Sequence, residues 1–247
     1  LLATIAETGH NLTLTLTDAS VAASAISTID PLTDGTFTVS STTVTGTAAE
    51  IIAAYALGTA GTVAGLGNEA ITLSDTTLSA ADLISVDALT TGLVTHTATT
   101  LTGTAADLVT IYASDGGESP TITGSLNQAI TVTDSTISCT NAAVINALST
   151  GVVTFVATTL TGNVADLTTI LDLSAAGTAI AGLGGANITM AATGGALTAA
   201  NVNTIAAKTT GVITATVTET TAAALATIAE TGHNLTLTLA DASVAAA

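Results

Sequence analysis

The chain has 247 residues, of which 48% are hydrophobic but only 2% aromatic, so its core must consist of small aliphatic side chains. Eighteen acidic residues face a single basic one, Lys208, which gives a formal net charge of −17. This charge excludes nucleic acid and anionic membranes as partners, because binding to phosphate requires Lys and Arg. The long uncharged run at 173–207 is interrupted by Gly, Thr and Asn, so we expect no membrane span.

The first part of the chain alternates between strand and helix patterns. The predicted elements are a helix end at Leu2–Gly9, a strand at Asn11–Thr17, a helix at Ala22–Leu32, a strand from Phe37, a helix capped by Thr47 and ended by Gly58, and a short extra strand at Thr62–Leu66. A strand with a short helix of this size cannot bury its own apolar face. Neighbouring copies must therefore pack together.

The segment Glu69–Gly92 shows the repeating cassette most clearly. Apolar and polar residues alternate around Ile71, which predicts a strand, and Asp75-Thr76-Thr77 predicts a turn. Ser79, followed three residues later by an acid, predicts the N-cap of a helix. Gly92 then stands where a left-handed glycine is expected to end that helix.

Later cassettes follow at a regular interval. Helix-start residues recur at Ile51, Leu108, Leu167 and Leu225, at intervals of 57, 59 and 58 residues. Extra strands are predicted at 119–124 and 179–183, and helix caps at Thr104, Asn163, Thr198 and Thr221. This period predicts one continuous array over residues 1–247, with approximate units at 1–50, 51–107, 108–166, 167–224 and, in part, 225–247.

A longer period is also present. Leu2–Ser24 and Leu225–Ala247 agree at 21 of 23 positions, at an offset of 223 residues. We therefore expect the chain to be a segment of a longer protein. The fold class predicted from these patterns is α/β: a repeat solenoid of strand-plus-short-helix cassettes with a parallel sheet. An all-β solenoid remains the alternative, because Thr, Val and Ile in the predicted helices lower helix propensity.

Four aspartates occupy the same place, directly after a strand. They are Asp18, Asp75, Asp134 and Asp241. One interpretation is a calcium ladder of carboxylates from successive units. The other is a series of turns in which each Asp side chain bonds the backbone two residues on. The chain contains no glycine-rich calcium nonapeptide, which favours the turns, and calcium is the one cofactor that the sequence leaves open.

The remaining candidates have ordinary structural interpretations. His96 lies in an inward-facing row and is expected to pack in the core, and Cys139 has no histidine nearby in sequence. Strand threonines can form ranks on a flat sheet of the ice-binding kind, but Thr is also a common solvent-facing strand residue. These threonines are Thr13, Thr15, Thr38, Thr72, Thr95, Thr97, Thr131, Thr154, Thr189, Thr214 and Thr216.

The recurring runs TLTGTAADL and LSAADLISVDALTTG resemble the Ala/Thr/Asp-rich repeats of giant cell-surface proteins of cyanobacteria and related marine bacteria. The resemblance covers nearly the whole chain and implies an extracellular or cell-surface location with a structural role. It implies no catalytic residues.

The sequence thus predicts a structural protein of a filament, surface layer or stalk, which self-associates and recruits divalent cations through its acids. The alternative is an adhesin that presents loops, such as 115–120, to a glycan or another cell surface. We expect no enzyme, since there are few aromatic rings for a sugar to stack on and no basic pair.

Overall fold

The computed structural model describes residues 11–115, 120–125, 127–229 and 231–240. The chain divides into two compact units, Leu1–Gln128 and Ala129–Ala247. In both, short parallel strands alternate with helices, which confirms the α/β class and makes the all-β alternative wrong.

The first unit contains ten strands and four helices among its described residues. The strands are β1 (Leu14–Leu16), β2 (Ser20–Ala22), β3 (Phe37–Val39), β4 (Thr43–Gly46), β5 (Val63–Ala64), β6 (Ala70–Leu73), β7 (Thr77–Ser79), β8 (Val94–His96), β9 (Thr100–Gly103) and β10 (Ile122–Thr123). The helices are α1 (Ala23–Ile29), which a 3₁₀ turn at Asp30–Leu32 extends, α2 (Ala48–Ala60), α3 (Ala80–Asp87) and α4 (Ala105–Asp115).

The second unit repeats this order. Its strands, within the described residues, are β11 (Ala129–Val132), β12 (Thr136–Ser138), β13 (Val153–Phe155), β14 (Thr159–Gly162), β15 (Ile180–Ala181), β16 (Asn187–Met190), β17 (Ile213–Glu219) and β18 (Asn234–Leu239). Its helices are α5 (Cys139–Leu148), α6 (Val164–Ala176), α7 (Ala199–Ala206) and α8 (Ala222–Leu225).

Strands pair with equivalent strands of neighbouring cassettes, and every pairing within a unit is parallel. In the first unit the orders are β1-β3-β5 and β2-β4-β6-β8-β10, and β7 pairs with β9. In the second they are β11-β13-β15 and β12-β14-β16-β17-β18. Each helix links strands that lie in different sheets or positions, as parallel strands require a crossover connection.

Side-chain caps start the helices where the sequence predicts them. Thr47 caps α2 in a reciprocal capping box with Glu50, and Thr198 does the same for α7 with Asn201. Ser79 accepts a hydrogen bond from the Asp82 amide at the start of α3. Such a cap contributes about 1 kcal/mol, so the caps help to define where each helix begins.

Two predicted helix stops are wrong. Gly58 lies inside α2, and Gly61, with φ of +84°, ends that helix. Helix α3 ends at Ala88 in a right-handed conformation, and Gly92 is not in the left-handed region. Gly92 is instead needed for packing, because a Cβ there would overlap the carbonyl of Glu69.

The core of each unit is made of aliphatic layers. Its largest side chains, Phe37 and Phe155, are buried at corresponding positions of β3 and β13. The helices contribute one buried face each, for example Leu83 and Val86 of α3. None of the helices in the described part of the chain has the length and apolar character needed to cross a membrane.

Candidate functional site

The predicted calcium ligands do not form a cluster in the part of the chain that the structure describes. Asp18 is exposed, and Asp75 accepts a hydrogen bond of 2.8 Å from the Ala48 amide at the start of α2. Asp134 is half-buried, and Asp241 lies outside the described residues. Among the described residues, no group of three or more His, Cys, Asp or Glu side chains is arranged to hold a metal ion.

Strand threonines align in files across the sheets. In the first unit, Thr45, Thr72, Thr95 and Thr123 stand in register on β4, β6, β8 and β10. The hydroxyls of Thr95 and Thr123 lie 3.2 Å apart. These half-buried and exposed side chains reinforce the strand pairing through cross-strand contacts.

Histidine and serine form a buried pair in the first unit. His96 Nε2 lies 3.0 Å from Ser125 Oγ, and the Ser125 amide donates to Asp115 at 2.6 Å. A serine hydroxyl on a histidine nitrogen is part of a nucleophilic triad. Here, however, His96 is 2% exposed and Ser125 is fully buried, and His96 Nδ1 has no partner. Corresponding positions hold Val39 with Leu66 and Phe155 with Leu183, which indicates a role in packing.

The burial of His96 predicts a pH dependence of stability. Burial lowers the pKa of His96, while the charge of Asp115 opposes this shift in part. The unfolded chain therefore takes up a proton near pH 6.5 that the folded protein resists. His96 thus contributes stability above pH 6.5 that is lost as the pH falls towards the lower folded pKa.

We expect His96→Phe, which copies Phe155, to remove that contribution to the pH dependence. Between pH 7 and 5.5 the free energy of unfolding of the natural protein should fall more steeply, by at most about 1.4 kcal/mol per pH unit. Urea unfolding at three pH values measures both slopes. Equal slopes in the two proteins would show that His96 does not titrate as proposed.

Cys139 is the first residue of α5 and packs under a neighbouring strand. Its side chain is 2% exposed, and burial raises its pKa to about 12. A Cβ at Gly162 would come within 2.7 Å of its Sγ. Ala80 occupies the same position beneath Gly103 in the first unit. Cys139 is thus a small core residue, and a thiol that resists ionisation is a poor nucleophile.

A buried carboxylate that sequence reasoning missed lies in the first unit, just before β6. Glu69 is 2% exposed, and its Oε2 accepts from Tyr55 Oη at 2.7 Å, the Gly67 amide at 2.8 Å and the Asn68 amide at 3.2 Å. Burial, and then the hydrogen bond and charge of Glu69, raise the pKa of Tyr55. Tyr55 therefore remains a proton donor to this carboxylate.

The other oxygen of this carboxylate has no partner. Glu69 Oε1 and the hydroxyl of Ser41, a residue that is 6% exposed, are both buried without a hydrogen bond. Both residues line a cavity of about 350 Å³ with Ser40, Thr42, Gly65 and Asn68. An unpaired polar atom costs about 1–3 kcal/mol when buried, so two of them beside one cavity indicate a binding site.

The signal for this site is present in the repeats. Glu69 aligns with Gln128 and Ala186 in the next two copies, and it is a buried acid in a chain whose other described acids are at least partly exposed. Comparison of the chain with protein-family models, with curated proteins and with solved structures found no match in any of the three.

Proposed function

We propose that the protein is a structural repeat protein, a solenoid of strand-plus-helix cassettes that contributes to an extracellular filament, surface layer or stalk. The observation that supports this most is the in-register parallel pairing of equivalent strands from neighbouring cassettes. Thr45 faces Thr72, Thr72 faces Thr95, and, in the second unit, Thr161 faces Thr189. Such a sheet grows by adding cassettes, so stability depends on contacts between neighbours in the sequence.

The two copies of the 223-residue period support a longer array. In the first copy, Leu14–Leu16 pairs with β3, the strand that follows it. In the second copy the corresponding residues, 237–239, pair with β17, the strand that precedes them. One sequence therefore pairs along both of its edges, as it would have to do inside a continuing array.

The charge of the chain supports an assembly that responds to salt. Each copy carries a net charge of −17, and Lys208, its only basic residue, already pairs with Asp172. Copies in contact therefore repel one another unless ions screen them. The Debye length falls from about 30 Å at 0.01 M salt to about 8 Å at 0.15 M, which removes most of this repulsion.

We expect the protein to assemble as ionic strength rises and to disperse on dialysis into low salt. Light scattering and negative-stain electron microscopy at 0.01, 0.15 and 1 M KCl measure the change in size. A parallel series in MgCl₂ at equal ionic strength separates screening from ion binding. A particle size that is indifferent to ionic strength in both series would overturn the proposed assembly.

A further inference from the structure

The Glu69 site, which we define as Ser41, Tyr55 and Glu69, has a counterpart in each of the next two copies. The corresponding residues are Ala98, Tyr112 and Gln128 in the second copy and Ala157, Leu171 and Ala186 in the third. The third set is entirely apolar and buried. The fold therefore builds the same layer without polar side chains, and the acid of the first copy is not needed to form it.

The charge of Glu69 lacks compensation from the protein. Tyr55 and the two amides that bond Oε2 are neutral donors. The chain's only Lys or Arg, Lys208, belongs to the second unit and pairs with Asp172. A buried charge without a counter-charge is strongly unfavourable, so a cation from solution has a large electrostatic reason to bind here.

The cavity supplies oxygen atoms suited to a hard cation. Glu69 and Ser41 lie at its buried side, whereas Ser40, Thr42 and Asn68 are exposed and lie where it meets solvent. Carboxylate, hydroxyl and amide oxygens are the ligands of calcium, and waters complete its shell of six to eight. A water molecule occupies about 30 Å³ in the liquid, so a cavity of about 350 Å³ accommodates a partly hydrated ion.

We propose that the Glu69 site binds a partly hydrated calcium ion through Glu69 Oε1 and Ser41 Oγ. This site differs from a ladder of the aspartates that follow the strands, since it contains none of them. With one carboxylate among its ligands, it belongs with weak calcium sites, which have dissociation constants on the order of 10⁻⁴–10⁻³ M.

Calorimetric titration of the whole chain with CaCl₂ in 0.1 M KCl tests this site. We expect saturable binding whose dissociation constant rises at least about tenfold in Glu69→Gln, a loss that follows from removing the only carboxylate ligand. Gln128 already stands at that position in the second copy. Asp18→Asn removes the same charge from an exposed position, so its affinity should stay within about twofold of the natural protein.

Two results would overturn the proposal: no saturable binding by the natural chain, or an equal loss in Glu69→Gln and Asp18→Asn, which would mean a diffuse ion atmosphere. If Glu69→Gln fails to fold, the triple variant Ser41→Ala/Tyr55→Leu/Glu69→Ala reproduces the apolar third copy and should fold without binding. Retained binding by the folded triple variant would also contradict the site.

Tyrosine emission gives a readout that leaves the site intact. The chain has no tryptophan and two tyrosines, so Tyr112→Phe makes Tyr55 the only fluorophore of this kind. Because Tyr55 donates to the same carboxylate, CaCl₂ should change its emission with the same midpoint as the calorimetric titration. Emission that does not respond, while calorimetry shows saturable binding, would locate the ion elsewhere and contradict the proposal.

Discussion

Replacement of Gly182 by alanine is expected to destabilise the protein by about 3 kcal/mol or more. Gly182 has φ of +93°, which costs an L-residue about 1–2 kcal/mol. In addition, its Cβ would overlap the backbone carbonyl of Phe155, on the neighbouring strand β13. Backbone cannot rotate away as a side chain can, so β13 would have to shift, at a further cost of about 1–3 kcal/mol.

Gly177→Ala is the matched control. Gly177 ends α6 with φ of +65°, but a Cβ there meets nothing within 4 Å. Its replacement should therefore cost only the conformational term of about 1–2 kcal/mol. Urea unfolding of both variants separates the two contributions. Equal losses would show that the chain at Gly182 does not approach β13 as closely as described.

Replacement of Leu108 by alanine is expected to cost about 2–5 kcal/mol. Leu108 is fully buried on the inner face of α4, and Ile51 and Leu167 are buried at the same position of the first and third copies. Removing its side chain leaves a cavity that short, mutually paired strands cannot readily close. The loss thus combines the transfer free energy of the side chain with the cost of that cavity.

The neighbouring residue provides the control for this variant. Val109 follows Leu108 on the same helix but is 41% exposed. Val109→Ala should change the free energy of unfolding by no more than about 0.5 kcal/mol, since surface substitutions away from special features have small effects. Urea midpoints, compared at equal slopes, measure both changes. A similar loss in the two variants would mean that α4 presents a different face to the core.

The sequence predicted the helix starts well because a cap is a local device. Thr47, Asn163 and Thr198 each cap a helix through an amide only three residues away, so spacing alone reveals them. The short strands β7 and β12 were missed. Each has three residues with a single buried side chain, Leu78 or Ile137, and one apolar residue shows no alternation.

Features that depend on a neighbouring cassette could not be predicted in this way. Gly92 was assigned to a helix stop because its conflict with the Glu69 carbonyl arises 23 residues earlier in the chain. The Glu69 site was missed for the same reason, since Tyr55 and Ser41 precede Glu69 by 14 and 28 residues. Comparing the copies position by position is the signal that would have found it.

The central claim is that cassettes pair in register with their neighbours in sequence order, and methyl contacts between threonines test it most directly. Neighbouring strands lie about 4.8 Å apart, so nuclear Overhauser effects should link the methyl groups of Thr45 with Thr72 and of Thr72 with Thr95. Thr45 and Thr95, two strands apart, should show only a much weaker effect. A strong contact between Thr45 and Thr95, with none from either to Thr72, would contradict the account.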